Sequence, residues 1–171
     1  MGTMRIVGIV GLIVSLILGV LYIVGDVKAR YEYKNTVSYA WSLADKTSTL
    51  EAKSAYMDEF VNNLNKAHLA EYDAIIFKTP DNNVANNIKA LITLRDRLNE
   101  IKGLDPESFA YQTAIQQITA QEQGEANEMI GVIEGGWFLK NHPLFWGWIS
   151  GIIWLLFMIA GTVSYLSYYR R

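Results

Sequence analysis

Two histidines and a ladder of glutamates are the residues whose type and spacing invite a search for chemistry. His68 is followed three positions later by Glu71, so on a helix the two share a face. A metal site in a helical bundle uses Glu-x-x-His motifs from two helices. Here the order is reversed. The second histidine, His142, stands beside Pro143 at the start of an apolar run, where an interfacial role is expected rather than ligation at the depth of His68. His68 is therefore expected to be a partly buried, hydrogen-bonded histidine on an apolar stripe.

Glu122, Glu125 and Glu128 recur every three residues. Such carboxylates can hold a divalent cation or a basic partner, although a ladder of this kind is ordinarily a solvated face. Gln121 and Glu122 interrupt the apolar stripe between Ile118 and Ala126, which keeps a polar layer in play. His68, Glu122 and Glu125 are thus the polar-site candidates. The cluster Asp81, Asn82, Asn83, Asn86 and Asn87 has too few carboxylates for a calcium loop and suits capping and turns. There is no Gly-rich phosphate loop, nucleophile elbow or Cys/His zinc pattern, and no cysteine at all. The expectation is a protein that is not an enzyme, with no catalytic residues, metal or cofactor.

The elements that would position these residues read as helices. Residues 30–46 place Tyr33, Val37, Ala40, Trp41 and Ala44 at helical spacing. Ser48 followed by Glu51 forms a capping-box pattern opening a second helix, with Met57, Phe60, Val61, Leu64, His68 and Tyr72 on one face. The turn 79-TPDNN-83 ends it. A third helix spans residues 84–102 through Val84, Ile88, Leu91, the stem of Arg95, Leu98 and Ile101, with Gly103 as a left-handed cap. Asp105-Pro106 starts a fourth, Asp as N-cap and Pro at the first helical position. It runs through Tyr111, Ile115, Ile118, Ala126, Met129 and Ile133 to about residue 134, where Gly135-Gly136 ends it.

These four stretches lie between two apolar runs. Residues 6–24 and 141–169 carry no charged side chain, the second having its apolar centre at residues 144–166. Nineteen helical residues cover about 28 Å, close to the hydrocarbon thickness of a bilayer. Aromatic residues crowd both ends of the second run: Trp137, Phe138, Phe145, Trp146 and Trp148 at one, Tyr165, Tyr168 and Tyr169 at the other. Such rings favour the headgroup layer, making Trp137, Trp146, Trp148, Tyr168 and Tyr169 the expected interface anchors. A cleaved signal peptide ending near Val27-Lys28-Ala29 is the alternative for the first run. That run is longer than the usual signal core of about 7–15 residues, and Lys28 is a poor flank.

All seventeen acidic residues fall in the middle segment, residues 26–141, against twelve Lys and Arg, a balance of −5 that argues against nucleic acid as a partner. The tails hold Arg5, Arg170 and Arg171, so both termini are expected in the cytoplasm and the middle segment in the periplasm or outside the cell. Within the spans, Gly11, Ser15 and Gly19 share one helix face, as do Gly147 and Gly151, and small residues let helix backbones approach closely. The absence of charge inside the spans disfavours a pump or carrier.

The expected fold is an all-α membrane protein in which two transmembrane helices flank an antiparallel four-helix extracytoplasmic bundle. Residues 1–25 are the N-terminal tail and first span, 26–141 the bundle, and 142–171 the second span and a short basic tail. The layout resembles the sensing half of a bacterial or archaeal membrane sensor, but no output domain is expected after the second span, so a signal would need a separate receiver. The expected function is a non-enzymatic membrane-anchored binding or assembly module, an accessory subunit of a larger membrane complex. Its partners would be membrane lipid and either a second copy of itself or another membrane protein. The alternative is an extracytoplasmic ligand-sensing bundle that signals through a separate transducer.

Overall fold

A computed structural model describes residues 2–73, 78–117, 123–142, 144 and 148–169. Within them the chain forms helices and turns, with no strand. Helix α1, Gly2–Tyr33, continues through a π-helical turn, Lys34–Ser38, into α2, Tyr39–Lys46. Then come α3, Leu50–Ala67; α4, Val84–Lys102; α5, Phe109–Gln117; α6, Gln123–Asn141; and α7, Trp148–Tyr169.

The first helical stretch of the head is therefore not separate from the first apolar run, because α1 carries one into the other. The π turn has a readable cause. Shielded positions along α1 follow an alternating four–three spacing: Ser15, Gly19, Tyr22, Asp26, Ala29, Tyr33. The next step of three would fall on exposed Thr36 and miss the core, whereas Val37, Ala40 and Ala44 are the buried residues. One surplus residue would rotate the stripe by about 100° on a regular helix, and a π turn absorbs it.

In the head, α2 packs on α3, α3 on α4, α4 on α6, and α6 returns to α1, closing a ring of antiparallel rods. Phe60, Met57, Leu64, Leu91, Leu98 and Ile133 are fully buried at its centre. Each such side chain contributes about 1.5–3 kcal/mol by leaving water. Tyr33, Val37 and Ala40 from the first rod and Val84, Ile88 and Ile101 from α4 complete that core, as the stripe spacing predicts.

The helix ends differ from expectation in instructive ways. Thr49, not Ser48, caps α3, its side chain accepting the Ala52 N–H at 3.4 Å. That helix stops at Ala67, so His68 and Tyr72 leave the stripe. His68 is exposed in a left-handed conformation (φ 47°, ψ 57°) at the helix end. Gly103, expected to be left-handed, keeps right-handed angles (φ −81°, ψ −7°). At α5 it is Ser108 that accepts the Tyr111 N–H, at 3.1 Å, while Asp105 closes the preceding turn by accepting the Glu107 N–H at 3.0 Å. The polar cluster of residues 79–87 caps α4 as expected: Asn83 accepts the Asn86 N–H at 2.8 Å, and Asn87 donates to the carbonyls of Asp81 and Asn83.

Gly135-Gly136 does not end the fourth rod, since α6 runs on to Asn141. A Cβ on Gly136 would stand 2.9 Å from Val84 Cγ2 and 3.1 Å from the Tyr72 carbonyl oxygen. The glycine therefore serves close approach of α6 to α4, not helix termination.

Among the described residues α1 is the one helix long and apolar enough, by length and composition, to cross a membrane; the apolar stretch of α7 over residues 151–163 is shorter. The expectation of two such helices is thus matched by one. Helices α1 and α7 nonetheless pack against each other as an antiparallel hairpin.

Candidate functional site at the base of the head

The chemistry-bearing contacts gather where the hairpin meets the head. Two connections cross this level: α1, which is continuous, and the corner between α6 and α7. At the corner, His142 is almost fully buried. Its Nδ1 accepts the Leu144 N–H at 3.2 Å, and its Nε2 lies 3.0 Å from the Tyr22 carbonyl oxygen. A backbone N–H can only donate, so Nδ1 is the bare nitrogen and Nε2 carries the hydrogen given to Tyr22. The imidazole rests on the Tyr22 ring, with centroids 4.8 Å apart, and a Cβ on Gly25 would come within 3.0 Å of it. Gly25 is the notch that admits the ring.

One turn higher, Trp137 donates from Nε1 to the Ala29 carbonyl at 3.0 Å and packs against Tyr33, with ring centroids 5.8 Å apart. Arg30 lies over the Phe138 ring at 5.1 Å, pairs with Asp26 at 2.9 Å and reaches Glu134 at 3.9 Å. The hydrogen bond Arg30 donates to the Asp26 carboxylate, then that carboxylate's charge, pushes the guanidinium further up from its ordinary value. Burial, then the charge of Glu134, pushes the Tyr33 phenol up. On the other side of α6, Lys140 donates to the Ala67 carbonyl and lies 5.7 Å from the Tyr72 ring centroid, tying α6 to the end of α3. These contacts join head to hairpin mechanically; they do not converge on a cavity with nucleophile and base.

Within the hairpin, Ser15 is buried and donates to the Gly11 carbonyl at 2.8 Å. Gly19 faces Trp154, where an added Cβ would come within 2.7 Å of the indole nitrogen, and Gly161 faces Leu12 at 3.0 Å. Ser15 and Gly19 thus lie on the contact face within one chain. Gly11 and Gly151 do not meet a neighbour: an added Cβ at either finds nothing within 4 Å. Trp137, expected as an interface anchor, is a core residue of the head. Trp148, Tyr168 and Tyr169 lie at the two ends of α7, while Trp146 and Gly147 fall outside the described residues. Of the polar candidates, His68 is exposed at the end of α3, Glu125 is exposed on α6, and Glu122 falls outside the described residues. Among the described residues no three His, Cys, Asp or Glu side chains cluster as a metal site would require.

Comparison with known proteins returns no matching family model, no matching curated protein and no matching solved structure.

Sequence reasoning missed Gly25, Gly161 and the paired role of His142. A signal for the first was available: Tyr22, Asp26 and Ala29 continue the spacing of Ser15 and Gly19, so the close-packed face of α1 extends past the end of the apolar run. His142 and Gly25 lie 117 positions apart, and no local pattern links them.

Proposed function

We propose that the protein is a membrane-anchored assembly module in which α1 and α7 both cross the bilayer and hold an all-helical head on one side. The observation that carries this is the inverted burial of the hairpin. Leu16, Ile17, Val20, Ile23 and Val24 on α1 and Leu155, Leu156, Phe157 and Ile159 on α7 are each more than half exposed, while the head buries its apolar residues in a closed core. An apolar surface of that extent belongs against lipid or another protein. With Arg5, Arg170 and Arg171 at the two tails, the termini lie in the cytoplasm and the head outside it. Because Ser15 and Gly19 already serve contact within the chain, further association falls to the outer hairpin faces that carry Gly11 and Gly151 and to the exposed faces of the head. A cleaved leader fits poorly: removal of residues 1–29 would take away the Ala29 carbonyl that Trp137 bonds and the face that packs on α7.

Purification of the full chain in mild detergent tests this. A stoichiometric membrane partner or a homo-oligomer is expected; a monodisperse monomer that no cross-linker joins to any neighbour in the intact membrane contradicts it.

A second reading, a ligand-sensing bundle acting on a separate transducer, is favoured by one observation. The rod of α1, the π turn and α2 runs without a break from the hairpin to the far end of the head. It predicts that some small molecule raises the thermal stability of the full chain, which simple assembly does not require.

A further inference from the structure

Resting on the membrane-anchored reading above, we infer that a second copy of this chain packs along the outer face of α1, the two α1 helices lying parallel. Ile13, Ile17, Val20, Val24, Val27 and Tyr31 recur at alternating spacings of four and three. Each lies two positions before a member of the shielded series that runs from Ser15 to Tyr33. Two helical steps turn about 200°, so this stripe follows the side of α1 opposite the shielded one. All six side chains are exposed. A seven-residue repeat of this kind is the pattern by which parallel helices seat the side chains of one between those of the other.

Inside the charge-free run the repeat alone selects no partner, because lipid accepts any apolar side chain. The level just above the run is the discriminating one. Within the run the stripe is flanked by Val14, Leu16, Leu21 and Ile23; one heptad on, the flanks are Lys28 and Arg30. The stripe itself does not change: Val27 and Tyr31 keep it apolar there, at 62% and 70% exposure. An apolar seam between charged flanks is what a helix contact meeting water requires. Tyr31 stands about 10 Å along the helix beyond Val24. That is farther than the roughly 5–7 Å of headgroup layer on one side of a bilayer, so lipid does not cover it. Both flanking cations are paired within their own chain, Lys28 with Glu32 at 3.8 Å and Arg30 with Asp26 at 2.9 Å, so two copies approach without bare like charges.

Composition agrees. The first five residues of the stripe are β-branched, while Leu12, Leu16, Leu18 and Leu21, the leucines of the run, all lie off it. Stiff β-branched side chains have little rotamer freedom to lose on packing. Copies inserted alike stand parallel in the bilayer, so the stripe meets itself across a two-fold axis along the membrane normal. β-branched residues at both core positions also admit a third strand through the same face.

The test uses the purified full chain in vesicles with a large excess of phosphatidylcholine. The chain has no cysteine, so Val27→Cys, Tyr31→Cys and Thr36→Cys each introduce a single thiol at an exposed site. Under mild oxidation Val27→Cys and Tyr31→Cys are expected to form a disulfide-linked dimer, and Thr36→Cys, on the same rod but off the stripe, to stay monomeric. Adding Val27→Lys to Tyr31→Cys opposes two like charges across the seam and should lower the yield of the bridge about tenfold. No bridge at either stripe position, equal bridging at Thr36→Cys, or a bridge that Val27→Lys leaves undiminished overturns the inference. Carbonate washing of the same vesicles separates two failures. A chain that stays in the bilayer without bridging overturns this inference alone, whereas a chain that is washed out overturns the anchored reading and this inference with it.

Discussion

The head and the hairpin are built from the same kind of helix and closed by the same device, a glycine facing a bulky neighbour, yet they distribute apolar side chains in opposite ways. In the head, Leu91 and Leu98 are buried in the core where α4 packs on α3 and α6. In the hairpin, Gly19 and Gly161 make the α1–α7 contact against Trp154 and Leu12, while other large apolar side chains point away from it, Leu16 and Leu156 each being 59% exposed. Water explains the first arrangement through the hydrophobic effect. It cannot explain the second, which becomes sensible where the surroundings are as apolar as leucine and helices associate by close packing. On the proposed reading, one chain records two solvents.

The largest expected effect separates the regions directly. Leu91→Ala opens a cavity in the head and should cost about 2–5 kcal/mol in chemical denaturation of the detergent-solubilised chain. Leu16→Ala on the outer face of α1 should stay within about 0.5 kcal/mol. Equal losses would mean that the outer face is packed and the contrast false.

Next come the glycines. Gly136→Val meets Val84 and the Tyr72 carbonyl, and Gly161→Leu meets Leu12, so each should destabilise its own region by about 1–3 kcal/mol through overpacking. Gly135→Ala and Gly151→Leu, where an added Cβ meets nothing within 4 Å, should leave stability nearly unchanged. Unfolding of the head reads Gly136→Val against Gly135→Ala, and cross-linking between cysteines placed on α1 and α7 reads Gly161→Leu against Gly151→Leu. A head weakened by Gly161→Leu as strongly as by Gly136→Val would show the two regions to be one cooperative unit.

The smallest effect lies at the seam between them. Burial, then the charge of Glu134, pushes the Tyr33 phenol above its ordinary value of 10.0. A raised value makes the contribution full below that ordinary value and progressively lost as pH rises above it, because the unfolded chain releases the proton first. Stability should therefore fall above pH 10 by up to about 1.4 kcal/mol per pH unit from this group. Tyr33→Phe should remove that share of the slope in alkaline denaturation, whereas Tyr31→Phe, at a residue 70% exposed, should not.

Much of the head was legible in the sequence because stripe spacing is a local signal. The rod of α4 and the buried positions of α3 follow from periodicity, and an Asn-rich turn announces a cap. What failed were inferences that treated glycine and proline as punctuation. Gly135-Gly136 reads as a stop, yet Gly136 is a contact with a residue fifty-two positions away, which no window of sequence contains. Trp137 reads as an interface ring for the same reason: its neighbours in sequence are apolar, while its hydrogen-bond partner, Ala29, is brought to it by the fold. On the small-residue face of α1, Ser15 is buried and Gly19 meets Trp154, an added Cβ at Gly11 meets nothing, and on α7 it is Gly161, facing Leu12, that comes close.

The most direct test of the two-solvent account uses the absence of native cysteine, which makes every introduced thiol unique. Thr3→Cys, Gln112→Cys and Arg171→Cys are each probed with a membrane-impermeant maleimide in sealed vesicles and whole cells. With the head outside, position 112 should label in intact cells and positions 3 and 171 only after permeabilisation. Labelling of all three without permeabilisation, or protection of one tail but not the other, would contradict a hairpin that crosses twice.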